Sequence, residues 1–177
     1  MFHRSQNLLL RPAWPEDWQS VHAGIADHGV VRNLARAPWP YRQSDARSYV
    51  ESTREPMFPR FLITRVGDAA LVGCIGIDRK GPDIELGYWI ARQHWGRGYA
   101  TEAGRAVLEI STMLGHRRLV ASHFLDNPAS GRVLQKLGFE ATGRVVSRYS
   151  CGRGEDALAA EYALELDQTL PDMMRAA

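Results

Sequence analysis

Residues 84 to 115, IELGYWIARQHWGRGYATEAGRAVLEISTMLG, change their hydrophobic period midway, and that change constrains the chain more than any other feature. Residues 84 to 91 are an aliphatic and aromatic run too short for a helix and closed by Arg92-Gln93-His94, which predicts a strand. From Ala100 onward, Ala103, Val107, Ile110 and Leu114 recur at steps of three and four. Thr101, Glu102, Arg105 and Glu109 fall on the other side, and Gly115 is the stop signal. That is an amphipathic helix of about four turns.

Between strand and helix lies Trp95-Gly96-Arg97-Gly98-Tyr99-Ala100-Thr101. Residues without a large side chain at a helix start let an anion approach unpaired backbone N–H groups, where the helix dipole adds roughly half a positive charge. The loop therefore reads as a phosphate cradle, although its glycines would also suit a plain tight turn. An ATP-type loop needs Lys-Ser/Thr after its last glycine, and Gly98 is followed by Tyr99-Ala100. A dinucleotide loop wants a third glycine where Thr101 stands, and belongs near the start of a βαβ unit.

The remaining match is by resemblance. Residues 95 to 100 resemble the coenzyme A pyrophosphate loop of the GCN5-related N-acetyltransferases (GNAT), Q/R-x-x-G-x-G/A, with Gly98 and Ala100 in place and Trp95 at the Gln/Arg position. The form YW-G-x-GYATEA is similar to the RimJ/RimL-like branch. Asn127 to Phe139 resembles the family's N-x-x-S…K-x-G-F helix, and LLLRPAWPEDW with the later PWPY…DA resembles the branch's first segment.

The order of elements agrees with that resemblance. Leu8 to Pro12 predicts a strand; Pro15 opens a helix, with a second helical piece over 28–35 and a third from Ser44 to about Arg54. Residues 60–66 and 70–79 read as a hairpin turning at Gly67-Asp68, followed by the strand at 84. Residues 118–124 form a strand, Asn127-Pro128 starts a helix, and strands over 139–149 and 157–166 flank a turn at Cys151 to Gly154. The tail from Thr169 is expected to fray. The predicted class is α+β (mixed α/β): a mostly antiparallel twisted sheet of about seven strands flanked by helices. In the GNAT fold it is splayed between strands 4 and 5.

Composition narrows the rest. At 177 residues the chain is expected to be one domain over 1–177, with its core over 8–166. A net charge of +2 without charge blocks gives no footprint for nucleic acid. No run approaches a membrane span, and MFHRSQNLLLRP is too short in apolar residues for a signal peptide. Cys74 and Cys151 have no metal-ligand spacing, so no metal site is expected and a reducing cytoplasm fits.

The resemblance implies a cofactor, acetyl-CoA, and transfer of its acetyl group by direct attack of a primary amine, on a protein N-terminus or a small molecule. It implies that backbone groups of Trp89, Ile90 and Ala91 pair with pantetheine, that Trp95 to Thr101 hold the pyrophosphate, and that Asn127 contacts pantetheine. Arg92, Arg97 or Arg132 would meet the outlying phosphate. Many members carry a tyrosine acid where Leu134 stands; the branch often has serine three after the asparagine, which gives Ser130 that role. Homodimers are common in the branch.

Glu85 is the best-placed carboxylate for a base, with burial expected to raise its pKa; pairing with an arginine on a neighbouring strand is the alternative. His94 and His123 are weaker candidates, and Cys151 as an acyl carrier is weaker still. Trp39 and Tyr41 are expected to line the acceptor pocket, under the Pro38–Ser44 loop and the Arg148–Glu155 hairpin. Residues 28–60 carry six arginines against three acids, a poor match for a polycationic acceptor. Two other readings are an acetyl-CoA-sensing module without catalysis, favoured by Leu134, and a dinucleotide-dependent oxidoreductase.

Overall fold

The computed structural model describes residues 1–52 and 55–166. The fraying expected from Thr169 lies outside them, as does Arg54. Two short strands, β1 (His3–Arg4) and β2 (Leu8–Arg11), precede three helices, α1 (Trp18–Ile25), α2 (His28–Val31) and α3 (Gln43–Glu51). Then come β3 (Arg60–Arg65), β4 (Leu71–Lys80), β5 (Asp83–Ile90), α4 (Tyr99–Met113), β6 (Arg118–Phe124), α5 (Pro128–Lys136), β7 (Glu140–Ser150) and β8 (Glu155–Glu165).

The strands form one sheet in the order β1-β2-β3-β4-β5-β6-β8-β7. Among the described residues, β5–β6 is the one parallel pair. Hairpins join β3 to β4, β4 to β5 and β7 to β8, whereas α4 carries the chain back over the sheet from β5 to β6 and makes that return parallel. β5 and β6 meet in register at Glu85 and Val120 alone and then diverge. Counted from Leu8 these are strands 4 and 5, so the splay stands where it was expected. Among the described residues there are eight strands rather than seven, because the two-residue β1 escapes any periodicity test.

Strand alternation sorts the core onto two faces. Phe61, Ile63, Ile75, Leu86 and Ile90 pack with Ala103, Val107 and Ile110 of α4 and Leu134 of α5. Leu62, Cys74 and Trp89 pack on the opposite face with Val21, Ile25 and Val31 of α1 and α2 and Ala46 and Val50 of α3. Val107 and Ile110 are essentially removed from solvent, each stabilising the docking of α4 by about 1.5–3 kcal/mol. This fastens the helix whose N-terminus faces the splay.

The helical piece expected over 28–35 stops at Val31. Beyond it the backbone is engaged elsewhere: Ala35 C=O accepts the Cys151 N–H at 2.8 Å, and Leu34 C=O accepts the Ser150 hydroxyl at 2.8 Å.

Candidate active site

Where β5 and β6 diverge, a cavity of about 1120 Å³ runs from one face of the sheet to the other. On the α4/α5 side it is lined by Gly96 to Thr101, Asn127 and Ser130; on the α1–α3 side by Tyr41, Tyr49, Asp78, Glu85 and Arg148. The splay thus joins an anion-binding mouth to a second chamber.

Gly96 and Gly98 have φ of 74° and 80°, a left-handed conformation that residues with a Cβ adopt at a cost of about 1–2 kcal/mol. A Cβ on either would point into open space. The first hydrogen bond into α4 runs from Glu102 N–H to Gly98 C=O at 3.0 Å, so the amides of residues 99–101 are unspent at the cavity wall. Two bare α-carbons and a run of donors at the start of a 15-residue helix suit a diphosphate. Arg97 and Arg132 are exposed on the same rim. Arg92 is drawn aside by Asp27, 3.4 Å away.

The backbone edge differs from expectation for two of three residues. Ala91 N–H donates to Val72 C=O at 2.8 Å, and β4 stays in unbroken register with β5 from Gly73–Ile90 to Lys80–Asp83. Alternate residues of a strand send their amides to opposite edges. Trp89 and Ala91 are therefore committed to β4, and Ile90 and Tyr88 face the open edge. Trp95 occupies Ile90 C=O through its indole N–H at 2.7 Å, which leaves the Ile90 N–H toward the cleft. The residue at the Gln/Arg position thus braces the loop against β5.

Ser130 sits in the first turn of α5. Asn127 Oδ1 accepts its N–H at 3.4 Å as the helix cap. Tyr88 places its hydroxyl 2.7 Å from Ser130 Oγ. Sequence reasoning passed over Tyr88; the signal was strand parity, because Tyr88 must face the side of the sheet opposite Glu85 and Trp89. Leu134 is buried in the core. His123 lines the cavity, with Nδ1 2.8 Å from Phe124 C=O, and His94 packs edge-on to Tyr99.

Glu85 corrects an expectation. Burial pushes its carboxyl up, but hydrogen bonds and charge from Arg148, with Lys80 adding to them, hold it below the usual carboxylate value. The two Arg148–Glu85 hydrogen bonds are 2.6 and 2.9 Å long, Lys80 Nζ lies at 3.1 Å, and Ser122 Oγ donates at 3.3 Å. Arg148 comes from β7, two strands beyond the neighbouring β6. At neutral pH the group is a bound carboxylate.

The hairpin of β7 and β8 roofs the acceptor side. Arg153 makes a bidentate pair with Asp126 at 2.9 and 2.7 Å, and Arg32 joins the same carboxylate at 2.7 Å. Tyr41 lines the cavity, but Trp39 is 43% exposed and packs edge-on to His28 instead of entering it. Cys151 is exposed at the hairpin turn and is not a lining residue. Ser150→Ala removes the bond that the buried Ser150 hydroxyl donates to Leu34 C=O. It is expected to cost about 1 kcal/mol, lowering Tm by about 2–4 °C in a thermal melt.

The chain matches the family described as "Acetyltransferase (GNAT) domain" over residues 7–140. It is 32% identical over 147 residues to the uncharacterized N-acetyltransferase p20 of Bacillus licheniformis, covering 78% of this chain and 82% of that one. Its fold is similar to that of the GNAT-family acetyltransferase from Bacillus anthracis, with a TM-score of 0.81, 25% identity and coverage of 93% and 98%. It is also similar to RimL, the ribosomal L7/L12 α-N-protein acetyltransferase in complex with coenzyme A, with a TM-score of 0.80, 20% identity and coverage of 95% and 99%. With a glycine loop of the right form at the mouth of a splayed sheet and the family matched across most of its length, this chain belongs to the GNAT acetyltransferases and transfers the acetyl group of acetyl-CoA to an amine.

Proposed function

We propose that the acceptor is a single primary amine, such as the α-amine of a protein N-terminus or of a compact small molecule, entering from the α1–α3 face and attacking the thioester directly. The observation that carries this reading is the cavity that crosses the sheet between the glycine loop and the roofed chamber. In this reading residues 1–177 act as one domain. Gly96 to Thr101 hold the pyrophosphate, the Ile90 N–H and the Asn127 side chain meet pantetheine, and Arg97 and Arg132 serve the outlying phosphate. The chemistry asked of the protein is then mostly positioning.

Ser130 hands its hydroxyl proton to the leaving sulfur, and the proton shed by the amine nitrogen leaves to water. Glu85 remains ionised and anchors Arg148 instead of acting as the base. The cytoplasm as its place rests on two cysteines that form no disulfide, and a homodimer as its assembly rests on the branch resemblance.

Acceptor choice follows from charge matching. The acids of the acceptor chamber are already taken: Asp126 by Arg32 and Arg153, Asp78 by Arg36 at 2.8 Å, and Glu85 by Arg148, while Asp45 accepts the Arg42 N–H. Among the described residues, three of these four acids are already matched to arginines and Asp45 is held as a helix cap, so an additional cation finds little unpaired negative charge there. A peptide beginning with a free serine α-amine is expected to release coenzyme A thiol at least roughly tenfold faster than spermidine. Its N-terminally blocked twin should release none. Faster turnover of spermidine would overturn the acceptor assignment, and acetyl-CoA binding with no thiol release from any amine would favour the sensing module.

A further inference from the structure

The bond between Tyr88 and Ser130 joins β5 to α5 across the cleft, and both residues line the cavity. A serine hydroxyl has one hydrogen and two lone pairs, and left alone it rotates. Here the rest of the residue is fixed, since Asn127 accepts the Ser130 N–H through both its side chain and its carbonyl, at 3.4 and 3.1 Å. Burial of the Tyr88 phenol pushes its pKa up to about 12, so it keeps its hydrogen throughout the neutral range. Either hydroxyl can donate in this bond, and the phenol hydrogen has Ser130 Oγ at 2.7 Å and the Ser130 carbonyl at 3.4 Å as acceptors, of which Oγ is the nearer; with Tyr88 donating to Oγ, the serine hydrogen is available to a thiolate formed beside Ser130.

We propose that Tyr88 is a positioning residue for thioester cleavage: by donating to Ser130 Oγ it fixes that oxygen and turns its single hydrogen toward the leaving sulfur. This rests on the reading of Ser130 as proton donor. As the C–S bond breaks, sulfur keeps the electron pair and takes the Ser130 proton. The amine nitrogen, now bonded to the acetyl carbon, releases one proton to water, and water returns one to Ser130, so the enzyme ends as it began. Tyr88 keeps its own proton throughout. Its ring packs against the α4/α5 core, so Tyr88→Phe removes the hydroxyl and keeps the packing.

The test needs no acceptor. The thiol of bound coenzyme A is titrated by its ultraviolet thiolate absorbance in the wild-type protein, Tyr88→Phe, Ser130→Ala, Ser130→Thr and the Tyr88→Phe/Ser130→Ala double variant. In the wild type the bound thiol should ionise at lower pH than free coenzyme A, because a hydroxyl donates to the thiolate. Ser130→Ala should remove that shift, Ser130→Thr should keep it, and Tyr88→Phe should raise the thiol pKa by about half a unit to one unit.

The double variant should equal Ser130→Ala, since Tyr88 acts only through Ser130. Coenzyme A affinity and Tm in Tyr88→Phe should stay close to wild type. A shift lost in Ser130→Ala but kept in Tyr88→Phe overturns the role of Tyr88 and leaves that of Ser130 standing. A bound thiol that titrates like free coenzyme A in every protein overturns the reading of Ser130 itself. Additive effects in the double variant would give Tyr88 an independent structural role and also overturn the proposal.

Discussion

Thermal unfolding of the Gly98→Trp protein is expected to be insensitive to acetyl-CoA, whereas the wild-type Tm rises by about 5–10 °C at a hundredfold excess over Kd. A ligand at that excess adds about 2.7 kcal/mol, and for a domain of this size each kcal/mol is worth about 2–4 °C. Gly98 is the residue just before α4, and a side chain there projects into open space at the cavity wall, where an anion would meet the free amides of residues 99–101. An indole in that space displaces the pyrophosphate and covers the donors.

The substitution also has a cost without ligand, because φ at Gly98 is 80°. The left-handed conformation should lower the apo Tm by about 2–8 °C. Gly98→Ala separates the two effects. It carries the same backbone strain with a side chain too small to fill the site, so its apo Tm should fall as far while part of the ligand-induced rise survives. A Gly98→Trp protein that still rises with acetyl-CoA would move the pyrophosphate away from this loop.

The strand, loop and helix of residues 84–115 were legible because each rests on local chemistry: a change of period, two glycines and a stop signal. The splay was legible only through resemblance, since the divergence of β5 from β6 depends on pairing across 35 residues of chain. What local patterns cannot carry is which edge of a strand is free. Trp89 and Ala91 looked equivalent to Ile90 until the pairing of Val72 with Ala91 set the parity of β5. The same parity hid Tyr88, one position from a residue that had been singled out. Glu85 was misjudged in pKa because its partner lies 63 residues away on a strand that is not its neighbour. Burial was foreseeable from the strand and an arginine partner was the stated alternative, but that it is Arg148, from a strand that is not a neighbour, was not.

That ion pair makes the second large effect. Arg148→Met leaves Glu85, 9% exposed, with Lys80 and Ser122 as its remaining partners. Breaking a buried pair on one side costs about 3–5 kcal/mol, and the partners that remain reduce this to about 2–3 kcal/mol, or a Tm lower by about 4–12 °C. The pH dependence gives it a signature. In the wild type the Glu85 pKa is depressed, so its contribution is present above the unfolded carboxylate pKa and is lost as pH falls through the folded one. Without Arg148, burial prevails and the folded pKa rises, so the carboxylate becomes a liability at neutral pH that protonation relieves.

The penalty of Arg148→Met should therefore be greatest near pH 7 and shrink toward about pH 4. Glu85→Gln/Arg148→Met should be more stable at neutral pH than Arg148→Met alone, because the unpaired charge is gone. Glu85→Gln by itself separates anchor from base: an anchor keeps turnover within about tenfold, whereas losing a general base costs about 10²–10⁴. A Glu85→Gln enzyme that melts like wild type and has lost more than a hundredfold in kcat would return Glu85 to the role of base, acting against the pull of Arg148 on its proton affinity.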